Sequence, residues 1–269
     1  MQNKEKEVSS MNPQIILEEI VAQYVNLLRE NLVGIYLHGS LAMGCFTEKS
    51  DLDLLVLVKN PLEFRVKRSL IERLLILQDL PDKGIEMSVV LGRYAREFQY
   101  PTPFEVHYSE SFKEQYMKDD NYICGDGVDR DLAAHMTVVY HRGICLYGKK
   151  IKEAFAEVPR KYYIDSLLYD IADVYTGIIN DPVYYTLNLC RILYYLQENI
   201  IASKKEGGDW GLKTLPGKYS GIIQNSVGLY CRQLEKATWD PEALIDFAGY
   251  MLRKIFSIVR AGDSADTFH

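Results

Sequence analysis

Three carboxylates and one small-residue turn stand out before any fold is assigned. Gly39-Ser40 closes an apolar run, and Asp51-Leu52-Asp53 opens the next after a polar stretch at 41–50. A third apolar run, Ile85-Glu86-Met87-Ser88-Val89-Val90-Leu91, carries one further acid. On a strand, residues i and i+2 share a face, so Asp-x-Asp presents two carboxylates side by side. Such like charges repel, and each resists ionisation unless a cation intervenes. Mg²⁺ suits the pattern, because it takes a few carboxylates together with phosphate oxygens of a substrate. A Gly-Ser turn lets backbone N–H groups approach a phosphate, and the serine hydroxyl adds a donor. An acid inside an apolar strand is costly to bury unless it is paired or used. Glu86 therefore reads as the solvated face of an edge strand or as a general base for a hydroxyl that attacks a nucleotide α-phosphorus, sharing a metal ion with the two aspartates. Taken singly, Asp-x-Asp could be a turn cap and a solvated edge, and Gly-Ser an ordinary turn.

The elements that must position these groups follow from periodicity. Residues 14–30 carry apolar positions at helical spacing, and strands follow at 33–38 and 52–58. Asn60-Pro61-Leu62-Glu63 reads as a helix start, with the helix running to about Gln78. Pro81-Asp82-Lys83-Gly84 is a turn before the third strand, and the first two strands could pair as a hairpin. The order helix, strand, strand, helix, strand indicates an α+β fold with a mixed sheet, and no GxGxxG is present. Residues 96–127 read as irregular, and 129–141 as a helix capped by Asp129. From Pro159 onward strands stop, and 162–179, 182–202, 218–234 and 241–260 carry long helical periodicity. The expected organisation is an N-terminal domain at 1–158 and an all-helical bundle domain at 159–269. Residues 1–10 and 261–269 read as polar ends with little structure.

Composition bounds the function classes. The chain has 269 residues, 48% of them hydrophobic and 25% charged, as in ordinary globular proteins. The net charge of −6 disfavours a nucleic-acid polyanion and leans towards a small cationic partner. Five scattered cysteines without a CxxC read as reduced thiols in a cytoplasmic protein. No run approaches the ~18 apolar residues of a membrane span, and the N-terminus lacks the apolar core of a signal peptide.

Strand, Gly-Ser, Asp-x-Asp on a second strand and an acid on a third together resemble the nucleotidyltransferase superfamily typified by DNA polymerase beta. Within it, the chain resembles the aminoglycoside adenylyltransferases that modify streptomycin and spectinomycin, from about Ile15 to Val259. Val33-Gly34-Ile35-Tyr36-Leu37-His38-Gly39-Ser40, Ser50-Asp51-Leu52-Asp53-Leu54-Leu55-Val56 and Glu86-Met87-Ser88-Val89-Val90 carry the N-terminal match. In the helical half, Asp181 with Thr186-Leu187-Asn188-Leu189-Cys190-Arg191-Ile192-Leu193-Tyr194 is similar to the family's Asp-rich turn and arginine-bearing helix. Lys204-Lys205-Glu206-Gly207-Gly208-Asp209-Trp210 and Leu215-Pro216-Gly217-Lys218-Tyr219 resemble its Lys-x4-Asp-Trp and Leu-Pro-x-x-Tyr segments.

The resemblance implies a monomeric enzyme that uses two Mg²⁺ ions to move AMP from ATP to a hydroxyl of a small cationic acceptor. It places nucleotide contacts on Gly39, Ser40, Ser50, Arg191, Lys204 and Tyr230. It places catalysis on Glu86, metal ligation on Asp51, Asp53 and Glu86, and acceptor contacts on Glu86 and Asp181. From the residues alone, Arg191 also reads as an intrahelical ion-pair partner, Lys204 as a solvated helix-end cation, and Tyr230 as core. Trp210 is assigned to the core or a domain seam. His135 and His141 read as structural or exposed, and His107 as a candidate for the acceptor pocket. The chain departs from the family at the acceptor end. The stretch through Ser111 has no tryptophan, and Ala172 and Gly177 stand where streptomycin-type enzymes carry a tryptophan and an acid. Tyr184 stands where the family has an asparagine. Spectinomycin is favoured over streptomycin. Two other readings stay open: a protein or RNA acceptor, and a non-catalytic ATP sensor of the same fold.

Overall fold

The structure, a computed structural model, describes residues 12–266. In chain order the first elements are α1 (Pro13–Leu28), β1 (Leu32–His38), α2 (Gly39–Ala42), β2 (Leu52–Val58), α3 (Phe64–Leu75) and β3 (Ile85–Leu91). Next come α4 (Gly92–Arg96), β4 (Thr102–Phe104), β5 (Val106–Tyr108), α5 (Lys113–Lys118), β6 (Gly127–Asp129), α6 (Leu132–Arg142), β7 (Ile144–Gly148) and α7 (Ile151–Ala154). The remainder is helical: α8 (Arg160–Asp170), α9 (Val174–Asn180), α10 (Pro182–Glu198), α11 (Lys204–Thr214), α12 (Ser220–Tyr230) and α13 (Pro241–Asp266).

The chain divides into two compact units. One comprises Met1–Ala42, Glu48–Asp129 and Gly143–Glu157; the other comprises Met43–Thr47, Arg130–Arg142 and Val158–His269. α6 and residues 43–47 thus group with the helices that follow residue 158. No helix among the described residues is long and apolar enough to cross a membrane.

The first unit is built on a five-stranded sheet in the order β5-β3-β2-β1-β7. β1 and β2 pair antiparallel, β2 and β3 parallel, and β5 and β7 close the edges antiparallel, so the sheet is mixed. β2 and β3 share one burial pattern, in which only Asp53 and Glu86 escape full burial. Apolar cover on both faces explains why these strands read as near-continuous apolar runs. Ser88, on the Glu86 side of β3, is buried. α1 and α3 pack together, and the buried Tyr24 hydroxyl donates to the Leu70 carbonyl at 3.2 Å.

Several local expectations shift. Asn60 does not cap α3; it bonds with Asn31, and the helix starts at Phe64 and ends at Leu75. Residues 96–127, expected to be irregular, hold β4, β5 and α5, and they are tied to α3 by ions. The buried Lys67 ammonium pairs with Glu105 at 3.5 Å and with Asp126, while Glu105 accepts from the Leu62 amide at 2.8 Å. Asp129 ends β6 and does not cap α6.

In the second unit, α10 packs against α9, α11, α12 and α13. Asp181 caps it, its side chain accepting from the Tyr184 amide, and Pro182 follows at the first helical position. α11 lies close against α10 because Gly207 leaves room: a Cβ there would stand 2.7 Å from the Arg191 backbone. The expected helix at 162–179 is broken between α8 and α9, and 182–202 ends at Glu198 with Asn199 left-handed. The tail expected from 261 continues as α13 to Asp266; the expected polar stretch at 1–10 lies outside the described residues.

Candidate active site

The sheet register brings the three acids together. Asp53 stands directly opposite Glu86 in the parallel β2/β3 pair and opposite His38 in the antiparallel β1/β2 pair. Asp51 lies just before β2, not on it, and the Leu52 amide bonds the Gly84 carbonyl at 3.0 Å, which fixes that entry beside β3. Asp51, Asp53 and Glu86 each offer a carboxylate oxygen within 4.8 Å of the others, and all three are half-buried.

Gly39 is built into this cluster. Its φ is +63°, and a Cβ added there would fall 1.7 Å from Asp53 Oδ2. The glycine thus serves two needs at once: a left-handed backbone after β1, and room for a carboxylate against the chain. Ser40 follows in α2, half-buried, and Ser50 is buried at the end of the loop before Asp51. On β3 next to Glu86, Ser88 Oγ lies 2.9 Å from His107 Nδ1, so His107 is engaged by the sheet.

A divalent cation fits this donor set. The ligands are hard carboxylate oxygens, which suit Mg²⁺, and the three that would hold it lie within 4.8 Å of one another.

The helical unit holds the remaining sequence-predicted residues. Arg191, on α10, pairs with Asp170 of α8 at 3.5 Å, so its ion pair runs between helices and is not intrahelical. Lys204 opens α11, with its ammonium 4.7 Å from the Tyr184 ring centroid. It stands at the N-terminal end of that helix. Tyr230 ends α12, half-buried. Asp181 is exposed and spends one oxygen on its cap. Trp210 is buried in the bundle, stacked on Tyr194 at 5.1 Å with its Nε1 donating to Glu198.

Sequence reasoning missed the polar cluster behind Arg191. The Tyr184 hydroxyl donates to Asp170 Oδ1. Asp131 accepts from Ser166 at 3.1 Å and lies 3.2 Å from His135. Burial alone would raise the Asp131 carboxyl; His135, Arg191 and Ser166 outweigh it and hold the carboxyl well below the usual carboxylate range. The Asp131/His135 spacing of i, i+4 was a usable signal. Asp170 offered none, because its partners come from another helix.

The geometry sits within a recognisable lineage. Residues 16–119 match the family description "Nucleotidyltransferase domain", and residues 153–254 match "Aminoglycoside adenylyltransferase, C-terminal domain". The chain is 26% identical over 253 residues to an aminoglycoside (3'') (9) adenylyltransferase of Klebsiella pneumoniae, covering 90% of this chain and 95% of that protein. It is 25% identical over 203 residues to a spectinomycin 9-adenylyltransferase of Staphylococcus aureus, covering 74% and 77%. Its fold matches a spectinomycin adenyltransferase of Enterococcus faecialis solved with ATP and spectinomycin, with a TM-score of 0.78 at 21% identity, over 91% of this chain and 99% of that one. A nucleotidyltransferase domain with its acids in register, followed by an aminoglycoside adenylyltransferase C-terminal domain, makes this chain a nucleotidyltransferase enzyme similar to the aminoglycoside adenylyltransferases.

Proposed function

We propose that this enzyme transfers AMP from ATP to a hydroxyl of an aminocyclitol antibiotic, with spectinomycin the favoured acceptor. One observation carries the reading: three carboxylates converge beside a left-handed glycine. Asp51, Asp53 and Glu86 would hold Mg²⁺, which would supply charge neutralisation at the phosphates and acidify the attacking hydroxyl. Gly39 and Ser40 offer backbone and hydroxyl donors to the phosphates, with Ser50 behind them. Glu86 orients the acceptor hydroxyl and takes its proton as the oxygen attacks the α-phosphorus and pyrophosphate leaves. In the helical unit, Arg191 and Lys204 supply positive charge for the phosphates, and Tyr230 a ring for the base. Asp181, exposed at the start of α10, offers a carboxylate to a cationic or hydroxylated acceptor.

The acceptor choice is supported at Gly177. A side chain there would meet the Tyr185 ring at 2.2 Å, so Tyr185 leaves no room at Gly177 for an acid like the one streptomycin-type enzymes carry nearby. The relatives named for spectinomycin modification point the same way.

The test is pyrophosphate release from ATP and Mg²⁺, screened over spectinomycin, streptomycin and other aminocyclitols. Turnover with spectinomycin and little with streptomycin is expected. Glu86→Gln should lower kcat by about 10²–10⁴-fold. Wild-type turnover by that variant would remove the base assignment, and silence across the panel would remove the antibiotic acceptor.

A further inference from the structure

We propose that Tyr184 is a positioning residue that keeps Arg191 available to nucleotide phosphates by detaining Arg191's counter-ion and holding Lys204 alongside. The inference rests on the reading that Arg191 and Lys204 meet the nucleotide. Tyr184 lies in the first turn of α10, about two helical turns before Arg191, so the two side chains share a face. Its hydroxyl donates to Asp170 Oδ1 at the end of α8. The other oxygen of that carboxylate, Oδ2, stands 3.5 Å from Arg191 Nη2. Lys204, at the start of α11, lies over the Tyr184 ring at 4.7 Å. One side chain therefore touches one cation, and reaches the other through a single carboxylate.

The state of the Asp170–Arg191 pair gives this contact its meaning. A carboxylate facing a guanidinium usually closes into two short, parallel hydrogen bonds. Here the pair stays long. Arg191 Nε and Asp170 Oδ2 are enclosed, and neither makes a hydrogen bond among the described residues. A donor left unspent at an enclosed nitrogen is costly. Tyr184 accounts for the open pair, because its hydroxyl draws on Oδ1, the oxygen Asp170 would need to clamp Arg191 bidentately. Burial and the neighbouring Asp170 raise the phenol far above its ordinary range, so it remains a donor at neutral pH. The flat face serves separately: a ring under an ammonium restrains Lys204 without neutralising it.

The experiment measures MgATP dissociation constants by calorimetry without acceptor, and steady-state constants with spectinomycin. Arg191→Ala and Lys204→Ala test the underlying reading, and Tyr184→Phe and Tyr184→Leu test the proposal. Tyr184→Phe keeps the ring and frees Asp170 to close on Arg191. It should weaken MgATP about tenfold while kcat at saturation stays within about twofold. Tyr184→Leu also loses the ring and should weaken it further. Adding Asp170→Asn to Tyr184→Phe removes the competing charge and should return the dissociation constant towards wild type, a rescue that a purely structural tyrosine would not give. If the Arg191 and Lys204 variants bind MgATP as wild type does, both readings fall. If those two weaken binding but Tyr184→Phe does not, or the double variant is not rescued, the Tyr184 proposal alone is overturned.

Discussion

At the residue scale, the acidic cluster owes its geometry to one missing Cβ. Gly39 holds a left-handed backbone with the Asp53 carboxylate against it, so any side chain there meets two penalties. Gly39→Ala should cost stability by about 1 kcal/mol for the backbone alone. If Asp53 holds the metal as proposed, displacing it should also lower kcat by about 100-fold, the effect of an ångström-scale misplacement. Thermal melts by circular dichroism, paired with pyrophosphate release, separate the two. An alanine variant that melts normally and turns over normally would mean that Asp53 has no part in the site. The glycine was legible as a turn residue in the sequence. Its contact with Asp53 was not, because the contact crosses from β1 to β2.

At the element scale, α11 is fixed by its first turn. The Ser203 hydroxyl accepts from the Glu206 amide at 3.1 Å, and Glu206 accepts from the Ser203 amide at 2.7 Å, a reciprocal capping box. Glu206 also pairs with Arg142 of α6 at 3.1 Å. Burial works to raise the Glu206 carboxyl, but the Ser203 amide and Arg142 outweigh it and hold it below its ordinary value. A carboxyl depressed in the folded state contributes stability above its unfolded pKa, about 4.3, and loses it as pH falls through the folded value. Glu206→Gln should therefore destabilise the protein by about 1 kcal/mol at pH 7. The gap to wild type should narrow as the pH is taken below about 4. Urea titrations at the two pH values read this directly, and a pH-independent gap would contradict the ionic assignment. The Ser-x-x-Glu pattern was present in the sequence, but apolar periodicity ran the preceding helix on to 202 and concealed it.

At the scale of the whole molecule, the cysteines report on integrity. Among the five, Cys145 is exposed and Cys190 is buried, all as free thiols. Cys190 lies where α11 presses on α10, and a Cβ at Gly211 would come within 2.9 Å of its sulfur. Burial pushes its thiol up to about 12, which suppresses the thiolate that reacts. Under native conditions a thiol reagent should modify Cys145 and leave Cys190 untouched. Cys190 should become reactive only across the denaturant range in which helicity is lost. Native-state labelling of Cys190 at the rate of Cys145 would show that the bundle does not close as described.

Local pattern by itself determined the strands that carry two of the acids in the first unit. Apolar runs of strand length placed Asp53 and Glu86 at matching positions, and parallel pairing of β2 with β3 then left them opposite one another. It also determined the change from mixed sheet to helices near residue 158, since periodicity is a property of neighbouring residues. Tertiary structure alone decided the rest. The short strands β5 and β7 carry too few residues for a periodic signal, and they become strands through the edges they cover. The break between α8 and α9 and the placement of α6 with the helical unit depend on packing. So does the Tyr184–Asp170–Arg191 chain, whose members lie on two helices. The strands that carry Asp53 and Glu86 were readable because apolar runs of strand length are a local signal. The company kept by Arg191 and Lys204 was not, because it is set by which helices meet.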